Sequence, residues 1–107
     1  MKKMDSKIIL GKILQRLADK GYAMVKGYNR FVRVKESNSH ISMLRENKNT
    51  TRVEFKKILM GIEFYQSNPE AYDEGPTALR RAGLTHITSP IFALLHLLPK
   101  EAYFYGK

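Results

Sequence analysis

YAMVKGYNRFVRVKE, Tyr22 to Glu36, is the stretch whose pairing decides how the chain is built. Two β-forming runs, Tyr22–Lys26 and Phe31–Lys35, flank GYNR, whose Gly and Asn suit the backbone angles of a tight loop. With Gly27–Arg30 as the loop, Lys26 stands opposite Phe31, Met24 opposite Arg33, and Tyr22 opposite Lys35. Alternation then sends Ala23, Val25, Val32 and Val34 to one face, an apolar layer for helices to cover. The other face receives Tyr22, Met24, Lys26, Phe31, Arg33 and Lys35, with Tyr28 and Arg30 extending it at the loop tip. A third run, His40–Leu44, follows the turn-like SNS, so a three-stranded antiparallel meander is expected. A hairpin by itself is marginal in water, and a helix must cover its apolar side.

Upstream, Ile9, Leu10, Ile13, Leu14 and Leu17 recur at helical spacing between about Ser6 and Lys20. Asp5 or Ser6 can cap that helix and Gly21 can end it. Its opposite side carries Lys12, Arg16 and Lys20 four residues apart. Downstream, Thr51 and Glu54 have capping-box spacing ahead of Phe55, Ile58, Leu59 and Ile62, which predicts a helix from near Thr51 to Gln66. NPEAYDEGP reads as a loop. Pro76 and Gly83 bracket one short helix, and Ser89 and Pro90 open another, IFALLHLL, closed by Pro99. That last helix is apolar on nearly every side, which places it at the centre of the core or against another subunit. The tail KEAYFYGK suits a short strand.

The expected order is thus α-β-β-β-α-α-α, a small single α+β domain over residues 1–107. Its first five elements share their order with double-stranded-RNA-binding domains. The lysine cluster of those domains at the start of the second helix is replaced here by Thr51–Glu54.

Hydrophobic content of 43% and charged content of 27% are ordinary for a globular chain, but a net charge of +9 is not. The excess is one-sided, since residues 1–60 hold 15 Lys/Arg against 5 Asp/Glu and residues 61–107 hold 4 against 5. A basic half favours a polyanionic partner, although charge also serves solubility. Cysteine is absent, which excludes disulfides and thiolate metal sites and fits a reducing compartment. The N-terminal apolar run breaks at Gly11 and Lys12, short of a secretory signal, and no stretch approaches the roughly 18 apolar residues of a membrane span. The expectation is a cytoplasmic protein with no membrane partner.

Chemistry-bearing patterns are sparse. His40, His86 and His96 lack a second ligand at metal-binding spacing. His96 among leucines reads as a satisfied core residue, and His86, near Thr85, Thr88 and Ser89, as a hydrogen-bonding partner of a helix start. Glu54-x-Lys56 is a fragment found in metal-dependent nuclease centres, but those place it on a strand beside an upstream acid, and here the pattern is helical. The glycines form neither a G-x-G-x-x-G nor a Walker pattern. Glu70, Asp73 and Glu74 lack calcium-loop spacing and read as solvated or as facing the basic half. Adjacent Arg80 and Arg81 point about 100° apart on a helix, so one rather than both could meet a given phosphate. No nucleophile has an orienting base. A non-catalytic protein without metal or cofactor is expected.

Cations mixed with flat rings suit a nucleic acid, DNA or RNA, in single-stranded or irregular form. Cations neutralise phosphates, and rings stack unpaired bases at about 1–3 kcal/mol each. The expected contacts are Lys26, Tyr28, Arg30, Phe31, Arg33 and Lys35 on the hairpin with Lys12, Arg16 and Lys20 on the helix, extended by Arg45, Lys48 and Arg52. Two other readings compete. The C-terminal helices could cover this face, burying Phe31 and Met24 while Lys26 and Arg33 snorkel at the margin. Alternatively the chain is a protein-interaction module, an adaptor or a small inhibitor of the kind mobile elements encode. It would then form a homodimer or capture a partner through Ile91–Leu98 and Tyr103–Tyr105.

Overall fold

The computed structural model describes residues 2–45 and 49–104. Helix α1 spans Ser6–Lys20: the Asp5 carboxylate accepts from the Lys7 N–H at 2.8 Å, and Gly21, at φ 83°, closes it by donating to the Leu17 carbonyl. Strands β1 (Tyr22–Met24), β2 (Arg30–Glu36), β3 (His40–Arg45) and β4 (Thr50–Glu54) follow, then helix α2 (Phe55–Ser67). Two 3-10 segments, Pro69–Asp73 and Pro76–Ala82, lead to helix α3 (Thr88–Leu95) and a last 3-10 turn, Lys100–Tyr103. The sheet is antiparallel and runs β1-β2-β3-β4.

The α+β class holds, but the sheet has four strands rather than three. The residues expected to open α2 form β4 instead, pairing Ile41 with Val53 and Met43 with Thr51. β-Branched Thr50, Thr51 and Val53 favour the pleat, and Val53 buries completely against the helices. This outweighs the capping box: Glu54 makes no side-chain cap bond, and α2 starts at Phe55, whose N–H donates to the Ser39 carbonyl at 2.8 Å. The segment between Pro76 and Gly83 is helical as expected but of 3-10 type. In the tail, Phe104 bridges to Lys3, while Tyr105 lies outside the described residues.

The helices cover one side of the sheet. Ile9, Ile13 and Leu17 of α1, Ile58, Ile62 and Tyr65 of α2, and nearly all of α3 close over Ala23, Phe31, Ile41, Met43 and Val53. Gly61 lets α2 and α3 approach closely, since a Cβ there would lie 2.9 Å from Leu95 Cδ1. Gln66 Nε2 donates to the carbonyls of Met4 (2.7 Å) and Tyr103 (3.0 Å), tying both ends of the described chain to α2. The apolar helix is therefore the centre of this chain's own core.

Within and against this core, Tyr65, Tyr72, Tyr103 and His96 pack their rings together. His96 has Nδ1 3.0 Å from the Phe92 carbonyl and Nε2 2.9 Å from the Tyr72 carbonyl, so its N–H meets an acceptor whichever ring nitrogen carries it, in the packed position expected of it. The Tyr72 hydroxyl donates to Leu98 O and that of Tyr103 to Leu95 O. Tyr65 is buried with no partner for its hydroxyl among the described residues.

Burial, then the nearby Tyr72 and Asp73 charges, pushes the Tyr65 phenol well above its ordinary value. Tyr65→Phe should therefore raise stability by about 1 kcal/mol at neutral pH, because it removes an unpaired buried hydroxyl. The gain should grow above about pH 10. There the unfolded tyrosine releases a proton that the folded one retains, so the unfolded state binds fewer protons and wild-type stability falls with rising pH. Urea unfolding of both proteins at neutral and alkaline pH checks this. A variant less stable than wild type would contradict it.

Candidate nucleic-acid interface

Pairing of Tyr22 with Val32, Ala23 with Phe31 and Met24 with Arg30 makes the hairpin loop Val25–Asn29, five residues rather than four. The Tyr28 N–H donates to the Val25 carbonyl at 2.9 Å, and Gly27 supplies a φ of 90°. The expected register is thereby displaced by an odd number of residues, which turns β2 over. Phe31 and Arg33 face the helices; Val32 and Val34 do not. The reason is packing: a phenyl ring removes more apolar surface from water than a valine does, and Phe31 is 1% exposed. A bulge between Arg33 and Lys35 then returns Lys35 to the uncovered side, opposite Ser42, which in turn pairs with Arg52.

The uncovered face therefore presents Tyr22 and Met24 from β1, Arg30, Val32 and Lys35 from β2, Ser42 and Leu44 from β3, and Thr50 and Arg52 from β4. Met24, Leu44 and the bulge residue Val34 are 48%, 38% and 52% exposed. At one corner the Tyr22 ring is flanked by two cations, Lys20 Nζ 5.0 Å and the Arg30 guanidinium 5.8 Å from its centre.

Of the residues expected to make contacts, Lys20, Arg30, Lys35 and Arg52 gather on this face, with Lys26 exposed in the adjoining loop. The others part from it. Phe31 is core and offers no ring to a base. Arg33 is half-buried opposite Met43, with Nε enclosed and Nη2 3.7 Å from Glu36. Tyr28 turns back to the helical layer, its ring edge-on to Phe92 at 5.1 Å. Arg16 donates to the Leu97 carbonyl at 3.3 Å, and Lys12 is exposed on the outer side of α1. Arg45 stands opposite Phe31, on the helix-facing side; Lys48 lies outside the described residues. Tyr22 and Thr50 were not among the expected contacts; the alternation of Thr50, Thr51, Arg52 and Val53 is the signal that places β4.

The acidic loop does not neutralise the basic half. Asp73 pairs with Lys100 at 2.7 Å and Glu74 with Arg81 at 3.0 Å, all within the C-terminal half. Among the described residues, Lys26, Lys35 and Arg52 have no carboxylate partner.

The described part of the C-terminal surface expected to bind a partner is mostly buried within the chain itself. Ile91, Leu94 and Leu95 are fully buried within the one chain, as is nearly all of Tyr103. Glu54 ends a strand after all, yet among the described residues no three His, Asp or Glu side chains cluster closely enough to hold a metal ion. Among the same residues no helix is long and apolar enough to cross a membrane. Compared with protein-family models, curated proteins and solved structures, the chain has no significant match in any of the three.

Proposed function

We propose that the protein binds single-stranded or irregular nucleic acid, without catalysis, on the open face of its sheet. The observation that carries this is the half-buried Tyr22 ring on the uncovered face, with Lys20 and Arg30 over it. A base can stack on the ring as these long side chains swing off it to meet the phosphates. Met24, Val34 and Leu44 continue the face as apolar ground, and Lys35 and Arg52 continue its charge. A broad sheet face fits unpaired bases better than a duplex groove. A chain without cysteine suits the reducing cytoplasm.

The test is a salt titration against single-stranded and duplex DNA and RNA. With about four phosphates engaged, log K for a single strand should fall against log salt with a slope of about −3. A second reading, a protein partner on the same face, is favoured by its exposed apolar side chains. Failure to bind any of the four nucleic acids at low salt would replace the first reading with the second.

A further inference from the structure

We propose that the cleft along the free edge of β4 binds a terminal phosphate, a phosphate monoester carried by a nucleotide or by the end of a nucleic-acid strand. The cleft encloses about 370 Å³, within the range of about 300–1,000 Å³ usual for small-ligand sites. Its walls come from three separate elements. Arg52 and Glu54 belong to the outermost strand, Lys57 to the first turn of α2, and Thr85, His86 and Ile87 to the segment entering α3. Gly83, in the left-handed region at φ 87°, turns the chain so that this segment comes back alongside β4.

The chemistry of the lining is unbalanced toward anions. Arg52, Lys57, His86 and Thr85 line the cleft with a single acidic residue, Glu54, whose carboxylate lies 3.8 Å from the Lys56 ammonium. Among the described residues the side chains of Arg52, Lys57 and His86 have no hydrogen-bond or ion-pair partner. The other two histidines contrast with this, since His40 is held by Ser37 and His96 by two carbonyls. Arg52 can present a planar fork to two phosphate oxygens, Lys57 a point charge, and Thr85 or His86 a further donor.

A monoester matches this set better than the backbone does. It carries about −1.5 to −2 charges at neutral pH and three unesterified oxygens, against one charge on a backbone diester. Ile87 supplies an apolar wall for a sugar or base, and Glu54 an acceptor for a sugar hydroxyl. The site shares Arg52 with the open face but does not depend on it, because a free nucleotide satisfies the cleft even if the sheet binds no strand.

The experiment is an NMR titration of the full chain with inorganic phosphate, a nucleoside monophosphate, the matching nucleoside, and a short single strand carrying or lacking a terminal phosphate. Amide signals of Lys57, Thr85, His86 and Ile87 should shift and saturate with phosphate and the monophosphate but not with the nucleoside. Lys57→Gln with His86→Gln should weaken monophosphate binding by at least about tenfold without lowering the melting temperature. Lys57→Arg, which keeps the charge, should retain it. Tighter binding of the phosphorylated strand identifies a strand end as the source; equal binding of both strands, with the monophosphate still in the cleft, identifies a free nucleotide. If neither strand binds yet the monophosphate shifts these amides, the open-face reading fails and the cleft stands. If phosphate and monophosphate leave the four amides unmoved, or the double variant binds like wild type, the proposal is overturned.

Discussion

Replacing Tyr22 by Ala together with Arg30 by Glu should cost about 2–4 kcal/mol of single-strand binding, roughly 30- to 1000-fold in Kd. The ring accounts for one stacked base, and the charge reversal turns an attraction for phosphate into a repulsion beside it. Both side chains stand on the uncovered side of β1 and β2, so stability should change little. Losing the Tyr22–Val32 cross-strand pair costs about 0.2–1 kcal/mol. Fluorescence anisotropy at fixed low salt checks the binding, and a thermal melt checks the fold. Tyr22→Phe keeps a stacking surface and should bind close to wild type. If the double variant binds as wild type does, the sheet face is not where the nucleic acid sits.

Phe31→Ala should be among the most damaging substitutions in the chain, at about 3–5 kcal/mol of folding stability, a large share of the roughly 5–15 kcal/mol typical of a domain. Phe31 is enclosed between the sheet and the helices, so the truncation leaves a cavity rather than a smoother surface. Val34→Ser, three residues along the same strand, should stay within about 0.5 kcal/mol because that side chain is largely in water. Urea unfolding of the two variants decides the register of the hairpin. With the four-residue loop the ranking would reverse, Phe31 being exposed and Val34 buried.

Much of the architecture was legible in local pattern. The α1 stripe with Asp5 and Gly21 at its ends, the strands near Tyr22, Phe31 and His40, and the burial of the IFALLHLL segment all follow from periodicity and capping. The misreadings share a cause. Thr51–Glu54 carries both a capping-box spacing and a β-branched alternation, and only the presence of β3 alongside it, with Val53 reaching the core, selects the strand. Likewise the loop length at Gly27 cannot be fixed locally, because one turn glycine serves several lengths. What selects five residues is the core's demand for Phe31, exerted by α1, α2 and α3 from far along the chain.

For the candidate site the division is similar. Composition alone determined that the first 60 residues carry the positive charge, because formal charge belongs to residues and not to their arrangement. Which of those charges gather was decided only by tertiary structure. The pairing register turned β2 over, sending Arg33 inward and leaving Arg30 beside Tyr22; the bulge returned Lys35 to the surface; β4 brought Arg52 to the same face. The side on which a strand residue emerges depends on a parity that one added loop residue or one bulge reverses, and burying the larger apolar side chains sets that parity.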